Sequence, residues 1–259
     1  VVDNRAGGGG TIGAETTVHA APDGYTLAMV SGSYAANAAL YKLPYDPIND
    51  ITPIALIGET GFLLSLHPSV AAKSVRELIT VAKTKPGGIN YGSTGTGGIT
   101  HLATELFDIM AGTKMTHIPY KGTGPALTDL LGGQVQVVFG ALPAMIPQHK
   151  AGRLRGIAVT TGKRIGAIPD IPTVGETVAG YEAILWYAAF GPRNLPKEYV
   201  TRLNAEIAKA IKTSAMQERM AGEGLEPAGG PPEQFRAILD REVPKWKRVV
   251  KEANVKAIQ

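Results

Sequence analysis

The chain alternates short apolar runs with stretches of helical period, and glycine marks most of the switches between them. Val1-Val2 reads as part of a strand, leading through a glycine-rich turn into a helix over 11–20. Pro22-Asp23-Gly24 signals a turn, and residues 25–30 read as a strand ending at Ser31-Gly32-Ser33. A loop rich in Pro, Asp and Asn covers 44–53, and residues 54–57 and 62–66 read as strands. Ser74-Val75-Arg76-Glu77 has the form of a capping box, which predicts a helix running to about 84 and stopping before Pro86-Gly87-Gly88.

A second glycine-rich turn, Gly92-Ser93-Thr94-Gly95-Thr96-Gly97-Gly98, opens a helix with Ile99, Leu102, Ala103, Leu106 and Met110 on one face. Strands over 115–118, 135–139, 154–160 and 184–190 follow, with helices after Pro125 and over 145–150 between them. Residues 162–173 read as a loop. The remainder is helical. One helix starts at Pro196 with Val200, Leu203, Ile207 and Ile211 aligned, and a last one starts near Pro232 with a kink or short break expected at Pro244. Strands alternating with helices predict an α/β protein with largely parallel sheets. Residues 62–66 and 184–190 bracket a self-contained run of βα units, so they read as strands crossing between two lobes. Lobe 1 would combine 1–65 with 190–259, and lobe 2 would be 66–189.

Composition narrows the function classes. At 259 residues, 44% hydrophobic and 19% charged, the chain has enough apolar surface for a sizeable core, which excludes disorder. A net charge of +4 and a pI near 9.2 suit an acidic ligand. Nucleic acid needs a clustered basic patch with interleaved aromatics. The densest basic run, Lys245-Trp246-Lys247-Arg248 with Lys251, reads instead as one solvated helix face. With no cysteine there is no disulfide or thiolate site. No apolar run has the length of a membrane span, and no signal peptide is visible.

The two glycine-rich turns carry the candidate chemistry, because each sets backbone N–H groups at the positive end of a helix, where an anion binds. Gly8-Gly9-Gly10-Thr11-Ile12-Gly13 fits a dinucleotide fingerprint, but the next strand ends in Ser31-Gly32-Ser33 without the acid that holds a ribose. In the second turn Thr100 stands where the third glycine belongs, and the following strand ends in Tyr120-Lys121, a lysine suited to a 2′-phosphate. An NAD(P)-dependent oxidoreductase is therefore the alternative reading. Gly98 is followed by Ile99 and not by the Lys of a phosphate-binding loop. Tyr91 replaces the first Gly of a nucleophile elbow around Ser93, and no carboxylate is placed to complete a dyad with His101. The five histidines show no metal-ligand spacing. No catalytic residue, metal or cofactor is assigned. What remains is Ser93, Thr94, Thr96 and the N–H groups of Gly97 and Gly98, which suit a carboxylate or else form only a tight strand-to-helix turn. Lys121 lies at the edge of the sheet where such a ligand binds, or is a solvated loop lysine.

Several segments together resemble the substrate-binding proteins of tripartite tricarboxylate transporters, the Bug family. They are Asn4-Arg5-Ala6-Gly7-Gly8-Gly9-Gly10-Thr11-Ile12-Gly13-Ala14-Glu15, Ala21-Pro22-Asp23-Gly24-Tyr25-Thr26-Leu27 and Tyr91-Gly92-Ser93-Thr94-Gly95-Thr96-Gly97-Gly98. His101-Leu102-Ala103-Thr104-Glu105-Leu106-Phe107, Pro119-Tyr120-Lys121-Gly122, Asp129-Leu130-Leu131-Gly132-Gly133-Gln134-Val135 and Ile168-Pro169-Asp170-Ile171-Pro172-Thr173-Val174 match too, as do Trp186-Tyr187 and the 222–225 turn. The likeness runs through essentially the whole chain.

The resemblance implies a two-lobed α/β periplasmic-binding-protein-like fold of type II, with a ligand cleft between the lobes. It also implies that the first βα unit of lobe 1 is missing from the segment given. It implies a periplasmic, monomeric, non-enzymatic receptor that carries a small carboxylate to membrane transporter subunits, or presents it to a signalling partner. Its implied ligand-binding residues are Ser93, Thr94, Thr96, Gly97, Gly98 and His101 on the second turn, with Tyr120, Lys121, Gly122 and Thr123 beside it. Phe139 and Ala141 border the pocket from the next strand end. Ser31, Ser33 and Asn37, on the loop after the first lobe's strand, and Tyr187 face it from the other lobe.

Overall fold

The computed structural model describes residues 1–5, 10–222 and 224–256. The segment 6–9 of the first glycine-rich turn and Glu223 of the 222–225 turn lie outside the described residues. Two compact units emerge: one of residues 1–59, 185–251 and 255–259, the other of residues 60–184 and 252–254. The crossings thus fall at 59/60 and 184/185, where the sequence suggested 65/66 and 189/190. Sheet pairing is the reason: Phe62–Leu66 joins the second unit's sheet, and Leu185–Pro192 joins the first unit's.

In the first unit, helix α1 (Thr11–Val18) precedes strand β1 (Ala28–Ser31) and helix α2 (Ser33–Leu40). Strand β2 (Ile51–Thr60) follows, and the chain returns later as β8 (Leu185–Pro192), α7 (Lys197–Ile211), α8 (Ser214–Gly222), β9 (Glu226–Pro227) and α9 (Pro232–Glu252). The sheet order is β1-β8-β2-β9, with β1 antiparallel to β8 and β2 antiparallel to β9. Its core sets Ile54, Ala55, Ala189 and Leu195 against Val200, Leu203 and Ile207 of α7, three of the residues whose period predicted that helix. Val1 and Val2 form no strand; both side chains are exposed. The helix α2 replaces what the sequence reading treated as loop. Its run Ser-Tyr-Ala-Ala-Asn-Ala-Ala-Leu is alanine-rich, the strongest helix-forming composition, and it buries Tyr34, Ala35, Ala36, Asn37 and Leu40. Helix α9 continues through Pro244 without a break.

The second unit contains β3 (Phe62–Leu66), α3 (Val75–Thr84), β4 (Asn90–Ser93), α4 (Ile99–Ala111), β5 (Thr116–Pro119) and α5 (Thr123–Leu131). It continues with β6 (Val137–Ala141), α6 (Leu142–Lys150), β7 (Arg155–Val159) and a single 3-10 turn, Val174–Glu176. Ser74 caps α3 by accepting the Glu77 N–H at 3.2 Å, while Glu77 reaches back to the Lys73 N–H at 2.7 Å. The sheet order is β5-β4-β6-β3-β7. Strand β4 is parallel to β5 and β6, but β3 is antiparallel to both β6 and β7. The expectation of largely parallel sheets therefore gives way to mixed ones. Strand β3 is inserted between β6 and β7, neither of them its neighbour in the chain, and runs against both.

Two consequences position the site. Strands β4, β5 and β6 run the same way, so their C-terminal ends share one sheet edge. Beneath that edge Leu63, Leu130, Val138, Leu142, Met145 and Val159 form a buried cluster that fixes it rigidly. Leu63 is 0% exposed and sits on β3, which is paired on both sides by β6 and β7. Leu63→Ala is expected to lower stability by about 3 kcal/mol in urea unfolding, from lost burial plus the cavity left behind, whereas Val1→Ala is expected to change it by less than about 0.5 kcal/mol.

Candidate functional site

The shared edge carries three strand-to-helix turns in a row. Helices α4, α5 and α6 start there with Gly98, Gly122 and Ala141 as N-caps, and none of the three receives a side-chain cap. The first amides of a helix have no intrahelical acceptor, so this edge gathers donors and the positive ends of three helix dipoles. Gly122 has φ +114°, a conformation L side chains rarely adopt, and a Cβ added there would meet nothing within 4 Å. The backbone entering α5 is therefore open to approach. Lys121 beside it is exposed, and Thr123 opens the helix. The Tyr120 hydroxyl donates to Asp129 at 2.7 Å; burial and that bond push the phenol up to about 12. Ala141 ends β6 half-buried.

The turn between β4 and α4 is tightly self-bonded. The Thr94 N–H donates to the Thr100 hydroxyl at 2.9 Å, and the two threonine hydroxyls are also 2.9 Å apart. The Gly95 N–H donates to Ser93 Oγ at 3.1 Å, and the Gly98 N–H to the Gly95 carbonyl at 3.1 Å. The Gly97 N–H donates to His101 Nδ1 at 2.9 Å. The sequence reading left the Gly97 and Gly98 amides free for a carboxylate; both are donated inside the loop. Buried amides demand acceptors, and this loop supplies its own. Thr94 and Thr96 remain accessible, Thr96 on the surface.

Behind the turn lies a polar cluster. Ser93, 1% exposed, sits 2.7 Å from His117 Nε2, so its hydroxyl partners His117 and not the His101 considered from sequence. The His101 and His117 rings stack at 3.9 Å between centroids and 11° between planes. Tyr91 stacks on His117 at 5.0 Å and donates its hydroxyl to Glu105. His101 Nε2 lies 3.6 Å from the same carboxylate. Burial opposes ionisation of Glu105, but the bonds from His101 and Tyr91 outweigh it and hold the carboxyl below its usual range. Burial, then the neighbouring His101, push the His117 imidazole down to about 4.

The remaining sequence candidates fall elsewhere. Phe139 is buried with its ring 5.8 Å from Phe107, a core contact. In the first unit, Ser31 pairs with Tyr187 across β1 and β8, and the Ser31 and Ser33 hydroxyls are 2.9 Å apart at the start of α2. Asn37 is buried on that helix. Among the described residues no group of three His, Asp or Glu is placed to hold a metal, and no helix is long and apolar enough to cross a membrane. Sequence reasoning passed over Thr100, Glu105, Tyr91 and His117. Tyr91 and His117 are register partners, so their contact is visible only once β4 and β5 are paired.

Residues 1–255 match the tripartite tricarboxylate transporter family receptor, TctC. The chain belongs to that family. Protein BugT of Bordetella pertussis is 34% identical over 262 residues, covering 99% of this chain and 80% of the relative. The solved structure of R. palustris Rpa4515 with adipate superimposes with a TM-score of 0.84 at 37% identity, covering 100% of this chain and 87% of the other. MatC from Rhodopseudomonas palustris with bound malate gives 0.78 at 29% identity, covering 94% and 85%. The TctC family is one of solute receptors, and the two α/β units are the two lobes of its fold.

The depressed His117 value sets a pH dependence. The neutral imidazole is favoured on folding, so the stability it carries is present above the ordinary value of 6.5 and is lost as pH falls towards about 4. His117→Gln keeps a hydrogen-bonding partner for Ser93 but cannot take up a proton. Its melting temperature is expected to fall less than the wild type's between pH 7 and pH 4.5.

Proposed function

We propose that the protein is a periplasmic receptor that captures a small organic acid and delivers it to the membrane subunits of a tripartite tricarboxylate transporter. The observation that carries this reading is the pair of relatives solved with adipate and malate, both dicarboxylic acids, at 37% and 29% identity over nearly the whole chain. The second unit's edge fits such a ligand. Uncapped starts of α4, α5 and α6 supply amide donors, Thr94, Thr96 and Thr123 supply hydroxyls, and Lys121 supplies a cation. In the first unit, Ser31, Ser33, Asn37 and Tyr187 are the matching candidates, gathered around the end of β1 and the start of α2. The reading requires no turnover, cofactor or metal. The dinucleotide alternative has less support, since both fingerprints lack a required residue.

A thermal-shift panel of adipate, malate, citrate, a neutral amino acid and NADP tests this reading. A ligand present at 100 times its Kd is expected to raise the melting temperature by about 5 °C through mass action on the folded state. At least one di- or tricarboxylate is expected to do so. A rise with NADP alone would sink the reading.

A further inference from the structure

The Gly97 amide can only donate, so the 2.9 Å bond to His101 Nδ1 requires that nitrogen to carry a lone pair. The ring proton of neutral His101 is then on Nε2, the nitrogen that faces Glu105 at 3.6 Å. A single line of contacts runs from the Glu105 carboxylate through the imidazole to the backbone of the glycine-rich turn. The ring is 5% exposed and cannot swing away, because His117 lies flat against it at 3.9 Å. Among the described residues, the titratable groups around it are Glu105 on its own helix, Tyr91 from β4 and His117 from β5. Asp108, one turn further along α4, is bound to Thr113 and to the Met115 N–H.

We propose that His101 is a positioning residue of the ligand loop: its bare Nδ1 holds the Gly97 amide, and proton uptake there releases the loop and weakens ligand capture in acid. The proposal rests on reading residues 93–98 as the ligand-contacting loop. Protonated Nδ1 becomes a donor facing a donor, so the bond is replaced by repulsion and Gly97, at φ +77°, loses its anchor. The Glu105 carboxylate, 3.6 Å from Nε2, favours the productive tautomer by electrostatic attraction for the proton on that nitrogen. The His117 ring resists a second charge in the stack, since two imidazolium faces at that distance repel.

The test uses the whole, ligand-free chain labelled with nitrogen-15. At pH 7.5, long-range correlations of the His101 ring are expected to show a proton on Nε2 and none on Nδ1. The Gly97 amide is expected to be protected from hydrogen exchange and to lose roughly tenfold of that protection at pH 5, after correction for intrinsic rates. His101→Asn places a non-titrating acceptor where Nδ1 lies, so it is expected to keep the protection at both pH values. His101→Leu is expected to lose it at both. A proton found on Nδ1 at pH 7.5, or wild-type protection unchanged at pH 5, overturns the proposal; both readings need no variant, so they stand even where His101→Leu does not fold. The wild-type affinity for adipate is expected to fall more between pH 7.5 and 5 than that of His101→Asn. Should the wild type bind no acid, the receptor reading falls, while the loop measurements still decide this proposal.

Discussion

Every amide that the β4–α4 turn buries needs an acceptor, and the site is built around that constraint. The turn passes from a buried strand to a buried helix through Gly95, Gly97 and Gly98, which have no side chains to offer. Its acceptors must come from neighbours. Ser93, Thr100 and His101 take three of the four internal donors, and the Gly95 carbonyl takes the fourth. An unpaired buried amide costs on the order of 1–3 kcal/mol, so these side chains are constraints on the turn and not decoration. The shape of the loop is therefore set before any ligand arrives, which lowers the ordering cost of capture.

The polar cluster behind the turn extends the same logic inward. His101 can accept from Gly97 only as one tautomer, and that tautomer needs an acceptor at its other nitrogen. The Glu105 carboxylate lies 3.6 Å from that nitrogen, and Tyr91 and His101 together favour its ionised form. A buried carboxylate is costly unless bonded, and each member of this group satisfies the next. Placing such a network against an apolar sheet is tolerable because Leu102, Leu106 and Phe107 on the same helix anchor α4 independently of it.

The sequence reveals the elements better than the connections. Helix α3 was legible from Ser74 and Glu77, and α4 from the spacing of Ile99, Leu102 and Leu106, because local chemistry decides both. Helix α2 was not, since Ala-rich stretches show little apolar periodicity. The direction of β3 was also hidden. Nothing in Phe-Leu-Leu-Ser-Leu distinguishes a parallel from an antiparallel partner, and its partners β6 and β7 lie about 75 residues or more further along the chain. At the site, Ser93 and the glycines announced a turn, and the whole-chain resemblance supplied its meaning. The partner of Ser93 was beyond local reading, because His117 lies 24 residues away and meets it only through the pairing of β4 with β5.

The helix starts of the second unit bear on where a carboxylate would be held. In the second unit Ser74 caps α3, and Thr173 with Glu176 forms a complete capping box on the Val174–Glu176 turn. Yet the three consecutive helices that start on the shared edge, α4, α5 and α6, have Gly98, Gly122 and Ala141 at their N-caps and receive no side-chain cap. A cap contributes typically about 1 kcal/mol to a helix, so the chain forgoes stabilisation at three adjacent places. Helices α1, α2 and α7 of the first unit also lack a side-chain cap, so a missing cap alone does not single out this edge; what sets it apart is that three uncapped starts lie side by side. A ligand carboxylate at that edge would accept from donors that a Ser or Asp cap would otherwise occupy. The stability left out of the ligand-free protein would then be available as binding free energy, which is the physical reason for proposing this edge as the binding side of the unit.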